Sequence, residues 1–317
     1  MKRVIIVPRN GYVNRLQALV SARLLSDQLG ATLHAVWEPE SVAPASWKSI
    51  FDATDPPALF EDPNILSGLG ISLSHGATGL SDPSKFTVFL AGGMAGEQHY
   101  MPALKARLKG DCQQLVIVAG GKFTLHGPSV LSPDASRIFS AERRGIYRGI
   151  NFNSAIRELV GDGLHNNPDP FLALHLRYSD RNIQAPSRRQ IRRAVRGAVD
   201  AGLMKAFLAS DTPKQLSEWQ AVLIELGFDT WALGQSQAPR SEAQGAVRAL
   251  ADWLVLGEAS YLVYFASSSF GEEAAACLVG GQAVPLETSS MRKWGIHAAT
   301  LVEAAVTYPQ RHWMRRG

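Results

Sequence analysis

Residues 171–180 read Phe171-Leu172-Ala173-Leu174-His175-Leu176-Arg177-Tyr178-Ser179-Asp180, and this stretch decides the fold. Phe171 to Leu174 predict a buried strand. Four apolar residues are entered through Asn166-Asn167-Pro168-Asp169-Pro170, whose prolines oppose an earlier start. The run then turns polar, giving His175, Arg177 and Asp180. In an open α/β sheet, ligands dock at the carboxyl ends of strands. A guanidinium there presents five donors in a planar fork, which suits a phosphate better than an ammonium does. On these residues alone two readings stay open: an anion site, or a buried histidine beside a salt-bridged Arg177–Asp180 pair.

The surrounding chain repeats the strand–helix rhythm. After strand 171–176 the pattern predicts helix 187–201, strand 205–209, helix 213–226, strand 228–232, helix 243–258, strand 261–265, helix 270–279 and strand 282–285. Such alternation implies an α/β domain with a parallel sheet and right-handed crossovers. The first half begins the same way. Arg3 to Val7 is a strand, Pro8 to Val13 a turn, Asn14 to Leu29 a helix closed by Gly30, and Ala31 to Trp37 a second strand. The loop of this βαβ unit sits at the strand's carboxyl end, with helix N–H groups facing any anion.

Residues 38–85 hold six prolines and four glycines and read as a loop-rich insertion with short helices. Phe86 to Leu90 and Leu115 to Ala119 are further strands, with a helix over Met101 to Leu108 between them. The Gly92–Gly96 loop lacks the spacing of a phosphate-binding P-loop. A linking stretch with Pro128 and Pro133 leads to a helix near Phe152–Val160, and a last helix is expected at about 296–306.

Composition narrows the class. At 317 residues, 46% hydrophobic and 19% charged, the chain reads as a soluble enzyme-like protein of two domains of about 150 residues each. A net charge of +4 fits small anionic ligands and falls short of a nucleic-acid binder's footprint. Cys112 and Cys277 stand far apart with no His/Cys cluster, which argues against a disulfide framework and a structural zinc site. No stretch approaches the ~18 apolar residues of a membrane span, and the apolar start is short for a secretory signal. A bacterial cytoplasmic protein is the expectation.

Two further segments end strands in polar residues. Phe207-Leu208-Ala209-Ser210-Asp211-Thr212-Pro213 runs from a strand into a helix, where Asp211 is either a ligand-reading carboxylate or a helix N-cap. Ser267-Ser268-Ser269-Phe270-Gly271 follows strand 261–265, where hydroxyls and free helix N–H groups form an anion receptor or an ordinary capped turn. Helix 187–201 opens with Arg188, Arg189, Arg192, Arg193 and Arg196, read as a solvated face or as a docking strip for an anionic partner. The tail 311–316 is read as a fraying terminus or a contact with an anionic membrane surface. Neither D-x-D, H-E-x-x-H nor C-x-x-C occurs.

His175-x-Arg177-x-x-Asp180 after an apolar strand resembles the signature of the GDP-fucose-using fucosyltransferase superfamily. That group includes the α1,6-, α1,2- and protein O-fucosyltransferases and the rhizobial nodulation enzyme. Gly11-x-x-Asn14-Arg15-Leu16 is similar to the family's opening motif. The Asp211 segment, and Asp252-x-x-x-Leu256 with the serine turn, resemble its later ones. The resemblance implies a GT-B fold, two Rossmann-like domains with parallel sheets facing a cleft. Its boundaries would be 1–165 on the acceptor side and 166–317 on the GDP-sugar side, with the last helix packing back on the first domain.

The resemblance also implies inverting, metal-independent transfer of L-fucose from GDP-β-L-fucose to a glycan or glycoside hydroxyl, with no cofactor. Arg177 would neutralise the leaving diphosphate, Asp180 would orient Arg177, and Asn14 would act beside the acceptor. Donor contacts would come from Gly11, Tyr12, Val13, Arg15, His175, Asp211, Asp252, Ser267, Ser268, Ser269 and Phe270. Glu38, Glu40 and Asp180 stand as alternatives for the general base. Thr212 replaces the family's second aspartate, Tyr178 stands where some relatives have a second arginine, and 181–196 holds no carboxylate. A transferase for another nucleotide sugar such as GDP-mannose, or a non-catalytic nucleotide- or glycan-binding protein, fits the same motifs. No nucleic-acid partner and no integral membrane segment is expected; peripheral membrane contact is compatible.

Overall fold

The computed structural model describes residues 3–68, 86–91, 113–123, 133–178, 186–233, 243–266 and 268–287. The expected helices at 101–108 and 296–306, the 92–96 loop, the 311–316 tail, Asp180 and Ser267 lie outside the described residues. The chain forms two compact units. One comprises Met1–Pro168, Leu233–Glu258 and Glu273–Cys277; the other comprises Asp169–Ala232, Ala259–Glu272 and Leu278–Gly317.

In the first unit β1 (Arg3–Pro8) leads into α1 (Tyr12–Leu29) and β2 (Thr32–Ala35). β3 (Leu59–Phe60), α2 (Asn64–Gly68), β4 (Phe86–Ala91) and β5 (Gln114–Ala119) follow. The strands form one sheet in the order β3-β2-β1-β5-β4, parallel throughout. Val4 to Val7 are completely buried, as a parallel strand covered on both faces requires. α3 (Pro133–Arg148) and α4 (Ser154–Asn166) complete the succession, the latter capped by Asn153 accepting from the Ile156 N–H at 3.1 Å.

α3 corrects the sequence reading, which took Pro133 as part of a linker. A proline at the first helical position has its φ preset and no N–H to lose, so it starts this helix.

The second unit is built on β6 (Phe171–Leu176), α5 (Arg188–Asp200), β7 (Lys205–Ser210), α6 (Pro213–Glu225) and β8 (Asp229–Trp231). β9 (Tyr261–Phe265) and β10 (Gln282–Leu286) finish a parallel sheet in the order β10-β9-β6-β7-β8. Leu172, Leu174 and Leu176 pack with Ile191, Val195 and Ala198 of α5 and with Trp219 and Leu223 of α6. With a strand period of two, His175 then projects to the opposite face.

α7 (Ala243–Gly257) and α8 (Ser269–Cys277) lie between these strands in sequence. α7 packs on α4, which is why residues 233–258 group with the first unit instead of falling with everything after residue 165. Among the described residues, no helix is long and apolar enough to cross a membrane.

Candidate functional site

In the second unit β6 is flanked by β7 on one side and by β9 on the other. The chain passes from β6 toward β8 in one direction and from β9 to β10 in the other, so the sheet's topological switch point lies between β6 and β9. Loops diverge there and leave room for a ligand at the carboxyl ends. Three of the polar segments singled out above end at this edge, on β6, β7 and β9.

His175 is buried at 2% exposure, and its ring stacks on Phe270 with centroids 4.8 Å apart and planes 20° from parallel. That stack joins β6 to the start of α8. Gly271 follows at a close approach. A Cβ there would stand 2.7 Å from the Tyr264 Cβ and 3.0 Å from His175 Nδ1, closer than packed atoms allow. His175 is therefore placed to fix the strand end against the helix.

Arg177 and Tyr178 leave β6 half-buried. The Tyr178 N–H donates to Asp211 Oδ1 at 2.9 Å, and the Asp211 N–H reaches the Leu176 carbonyl at 3.4 Å. Tyr178 sets its ring edge-on to Phe265 at 5.5 Å, and burial raises its phenol pKa. Asp211 is no helix cap. The N-cap position of α6 belongs to Thr212, whose side chain makes no capping bond. Asp211 instead ties the segment bearing Arg177 to the end of β7.

Past β9, the Ser268 carbonyl accepts from the Glu272 N–H at 3.0 Å, which makes Ser268 the N-cap of α8. Its hydroxyl is buried and has no hydrogen-bond partner among the described residues, and the same holds for Thr212 Oγ1 past β7. Buried unpaired hydroxyls are uncommon, because each forgoes about 1–3 kcal/mol of hydrogen bonding. Ser269 opens α8 beside Phe270.

The first unit has its own switch point between β1 and β5, and there the loop after β1 is held rigidly. Asn10 adopts φ 69°, the left-handed region that asparagine tolerates, and its Nδ2 donates to the Gly120 carbonyl at 3.2 Å. A Cβ on Gly120 would stand only 2.1 Å from that Nδ2, so a larger residue there would displace the Asn10 side chain from its hydrogen bond. The Arg15 guanidinium is completely buried. Its Nε donates to the Asn10 carbonyl at 2.9 Å and a terminal nitrogen to the Glu38 carbonyl at 2.7 Å, while the other pairs with Glu40 at 3.0 Å. Its carbon lies 5.0 Å from the Trp37 ring centroid, and burial lowers its pKa.

Arg15, expected at the donor, is thus corrected to a residue that holds the loop, because no part of its head reaches solvent. Tyr12 is also structural. Its buried hydroxyl accepts from the Ala45 N–H at 3.0 Å. Val13 is buried as well.

Gly11 and Asn14 remain toward solvent. Gly11 has an ordinary extended backbone (φ −66°, ψ 163°), and a Cβ there would meet nothing within 4 Å. The fold gives no reason for a glycine at that position. Two of the three carboxylates considered as bases are already engaged. Glu38 pairs with Arg9 at 2.9 Å, and Glu40 bridges Arg9 and Arg15. Asp252, on α7 in the first unit, is nearly buried and pairs with Arg248 at 3.0 Å.

Sequence reasoning missed a buried polar cluster around Glu273 in the first unit. Its carboxylate is fully buried and receives Gln17 Nε2 at 2.8 Å and the Tyr147 hydroxyl at 2.9 Å. The buried Arg143 guanidinium presses on it, and Lys122 Nζ stands 3.9 Å away. A glutamate in Glu272-Glu273-Ala274-Ala275 carries no mark of burial, and its arginine sits on the helix that the sequence did not announce. Among the described residues, no group of three His, Cys, Asp or Glu side chains forms a cation site.

No protein-family profile matches the sequence, and neither does any curated protein. Solved structures do. NodZ α-1,6-fucosyltransferase soaked with GDP-fucose aligns at a TM-score of 0.57 and 18% identity, over 88% of this chain and 93% of that one. The NodZ fucosyltransferase from Bradyrhizobium gives the same score and identity. A point mutant of Arabidopsis thaliana FUT1 in complex with GDP aligns at 0.62 and 13% identity, over 92% of this chain and 71% of that one. POFUT1 in complex with GDP-fucose aligns at 0.53 and 12% identity, over 90% and 97%. At such identities the likeness concerns the fold. The chain accordingly has the α/β fold of these fucosyltransferase structures, with two parallel sheets of the GT-B type.

Proposed function

We propose that this protein is an inverting, metal-independent glycosyltransferase of the bacterial cytoplasm that moves L-fucose from GDP-β-L-fucose to a glycan or glycoside hydroxyl. One observation carries the reading. The segments bearing His175 and Arg177, Asp211 and Thr212, and Ser268 to Phe270 end on three adjacent strands at one sheet's switch point. A nucleotide diphosphate is the ligand that such an edge suits. It offers oxygens to the Arg177 fork, to the first N–H groups of α8 and to the orphaned Ser268 hydroxyl.

In the reaction, the acceptor oxygen forms the new bond to the fucose anomeric carbon on the face opposite GDP. The old bond's electron pair leaves with the β-phosphate oxygen, and the acceptor's proton passes to a base or to solvent. Arg177 meets the charge developing on that phosphate, which is where a prearranged cation lowers the barrier. Asp211 positions the Arg177 segment through the Tyr178 N–H. Asn14, half-buried with no hydrogen bond from its side chain among the described residues, is assigned to the acceptor. Glu38 and Glu40 are left out as bases because arginines already hold them. The absence of D-x-D from the sequence supports neutralisation by side chains and helix dipole instead of a metal.

Thr212 favours a second reading, a transferase for another nucleotide sugar, since it stands where the resembled family has an aspartate. Calorimetry of GDP, UDP, CMP and dTDP binding with EDTA present separates them. Selective GDP binding supports the first reading, and preference for another base or a requirement for a divalent ion overturns it.

A further inference from the structure

α5 carries a charge distribution that the proposed reaction does not use. Its 13 residues include Arg188, Arg189, Arg192, Arg193 and Arg196 against one acid, Asp200. The whole chain has 32 basic and 28 acidic residues, net +4, so this single helix holds the entire net charge and the rest balances to zero. All five arginines are exposed. Arg188 pairs with Glu218 on α6, while Arg189, Arg192, Arg193 and Arg196 have no acidic partner among the described residues.

The helix's own stability does not account for these arginines. Four of the five crowd its amino-terminal half, with no acid in the first turn, where the helix dipole disfavours positive charge. That end is held by a capping box, with the Ser187 hydroxyl and the Gln190 amide each bonded to the other's backbone N–H. Ile191, Val195 and Ala198 face the core, so the 3.6-residue period turns Arg189, Arg193 and Arg196 straight outward, with Arg188 and Arg192 on one flank. The outward row spans about 10 Å. At the other end of the helix two apolar side chains stand in solvent, Val199 at 39% and Met204 at 62% exposure.

We infer that this face docks the protein on an anionic phospholipid surface. An outward cationic row is drawn to the negative surface potential of anionic lipid headgroups while the helix's own apolar face stays in the core, and Val199 and Met204 add apolar area near its far end. A groove for single-stranded nucleic acid would interleave stacking aromatics with the arginines, and α5 contains none. The inference stands independently of the reaction proposed above.

The test is co-sedimentation of the full chain with phosphatidylcholine vesicles and with mixed phosphatidylcholine–phosphatidylglycerol vesicles, for the wild type and R189Q/R192Q/R193Q/R196Q. Glutamine keeps the helix propensity, and the positions are exposed, so melting temperature and nucleotide binding stay at wild-type values. The double variant R192Q/R193Q provides a milder step. The wild type partitions onto the mixed vesicles and releases with salt. The double variant loses part of that binding, and the quadruple variant loses roughly tenfold or more. Equal partitioning onto both vesicle types overturns the inference. Undiminished binding by the quadruple variant also overturns it, as does tighter binding of an RNA oligonucleotide than of the mixed vesicles.

Discussion

The Asp211 carboxylate holds the Tyr178 backbone N–H at 2.9 Å, so the residue beside Arg177 is tied to the end of the neighbouring strand. Asp211→Ala removes this acceptor, costs about 1 kcal/mol and lowers the melting temperature by roughly 2 °C. Asp211→Asn keeps an oxygen in the same place and restores most of that loss. Calorimetric melting of both variants checks the order. Equal melting temperatures for the two would show that the bond holds nothing.

Gly11 separates a ligand role from a structural one. Because a Cβ there meets no atom within 4 Å and φ is −66°, Gly11→Ala leaves stability unchanged or raises it by about 0.4–1 kcal/mol. If the loop backbone lies against the donor, the same methyl group weakens donor binding. Thermal melting and donor titration on one sample read both effects. A variant that binds the donor normally would contradict the loop's role.

Glu273 is the counter-case, a buried charge that the fold depends on. Glu273→Ala leaves the buried Arg143 guanidinium without its carboxylate, and breaking such a pair destabilises by about 3–5 kcal/mol. Urea unfolding gives the value directly. A shift below about 1 kcal/mol would show that Gln17, Tyr147 and Lys122 do not form a cooperative network with it.

Burial pushes the Cys277 thiol from an ordinary 9.0 to about 12, with the arginines at 143, 148 and 144 opposing the shift. Because the folded state holds this proton more tightly, the associated stability is fully present below pH 9. It declines as the unfolded chain ionises between pH 9 and 12. Burial also raises the phenols of Tyr12, Tyr178, Tyr261 and Tyr264, which adds to the loss in the same direction. Cys277→Ala therefore shows a shallower alkaline decline than the wild type in pH-resolved urea melts. Parallel curves would contradict this.

Much of the scaffold was legible in the sequence because apolar runs such as 3–7 and 171–176 end abruptly in polar or glycine-bearing loops, which fixes both the strand and its carboxyl edge. α3 was not, since a proline that opens a helix looks like one that breaks it. The strand ends that make up the candidate site were legible. The roles within it were not, because burial is a tertiary outcome. Arg15 and Asn14 are adjacent polar residues in one motif, yet one is sealed against Trp37 and the other is only half-buried. In the same way, Asp211 and Thr212 could not be sorted into tether and cap by their order alone.

The proposed role of Arg177 is to carry the leaving-group charge of a GDP-fucose donor. The direct measurement is the rate of GDP release from GDP-β-L-fucose with candidate acceptors and EDTA, for the wild type and Arg177→Ala. Turnover by the wild type with a loss of about a hundredfold or more in the variant, roughly 3 kcal/mol, at unchanged melting temperature is the predicted result. Equal turnover by both proteins, or a wild type that spares GDP-fucose while consuming another nucleotide sugar, would contradict it.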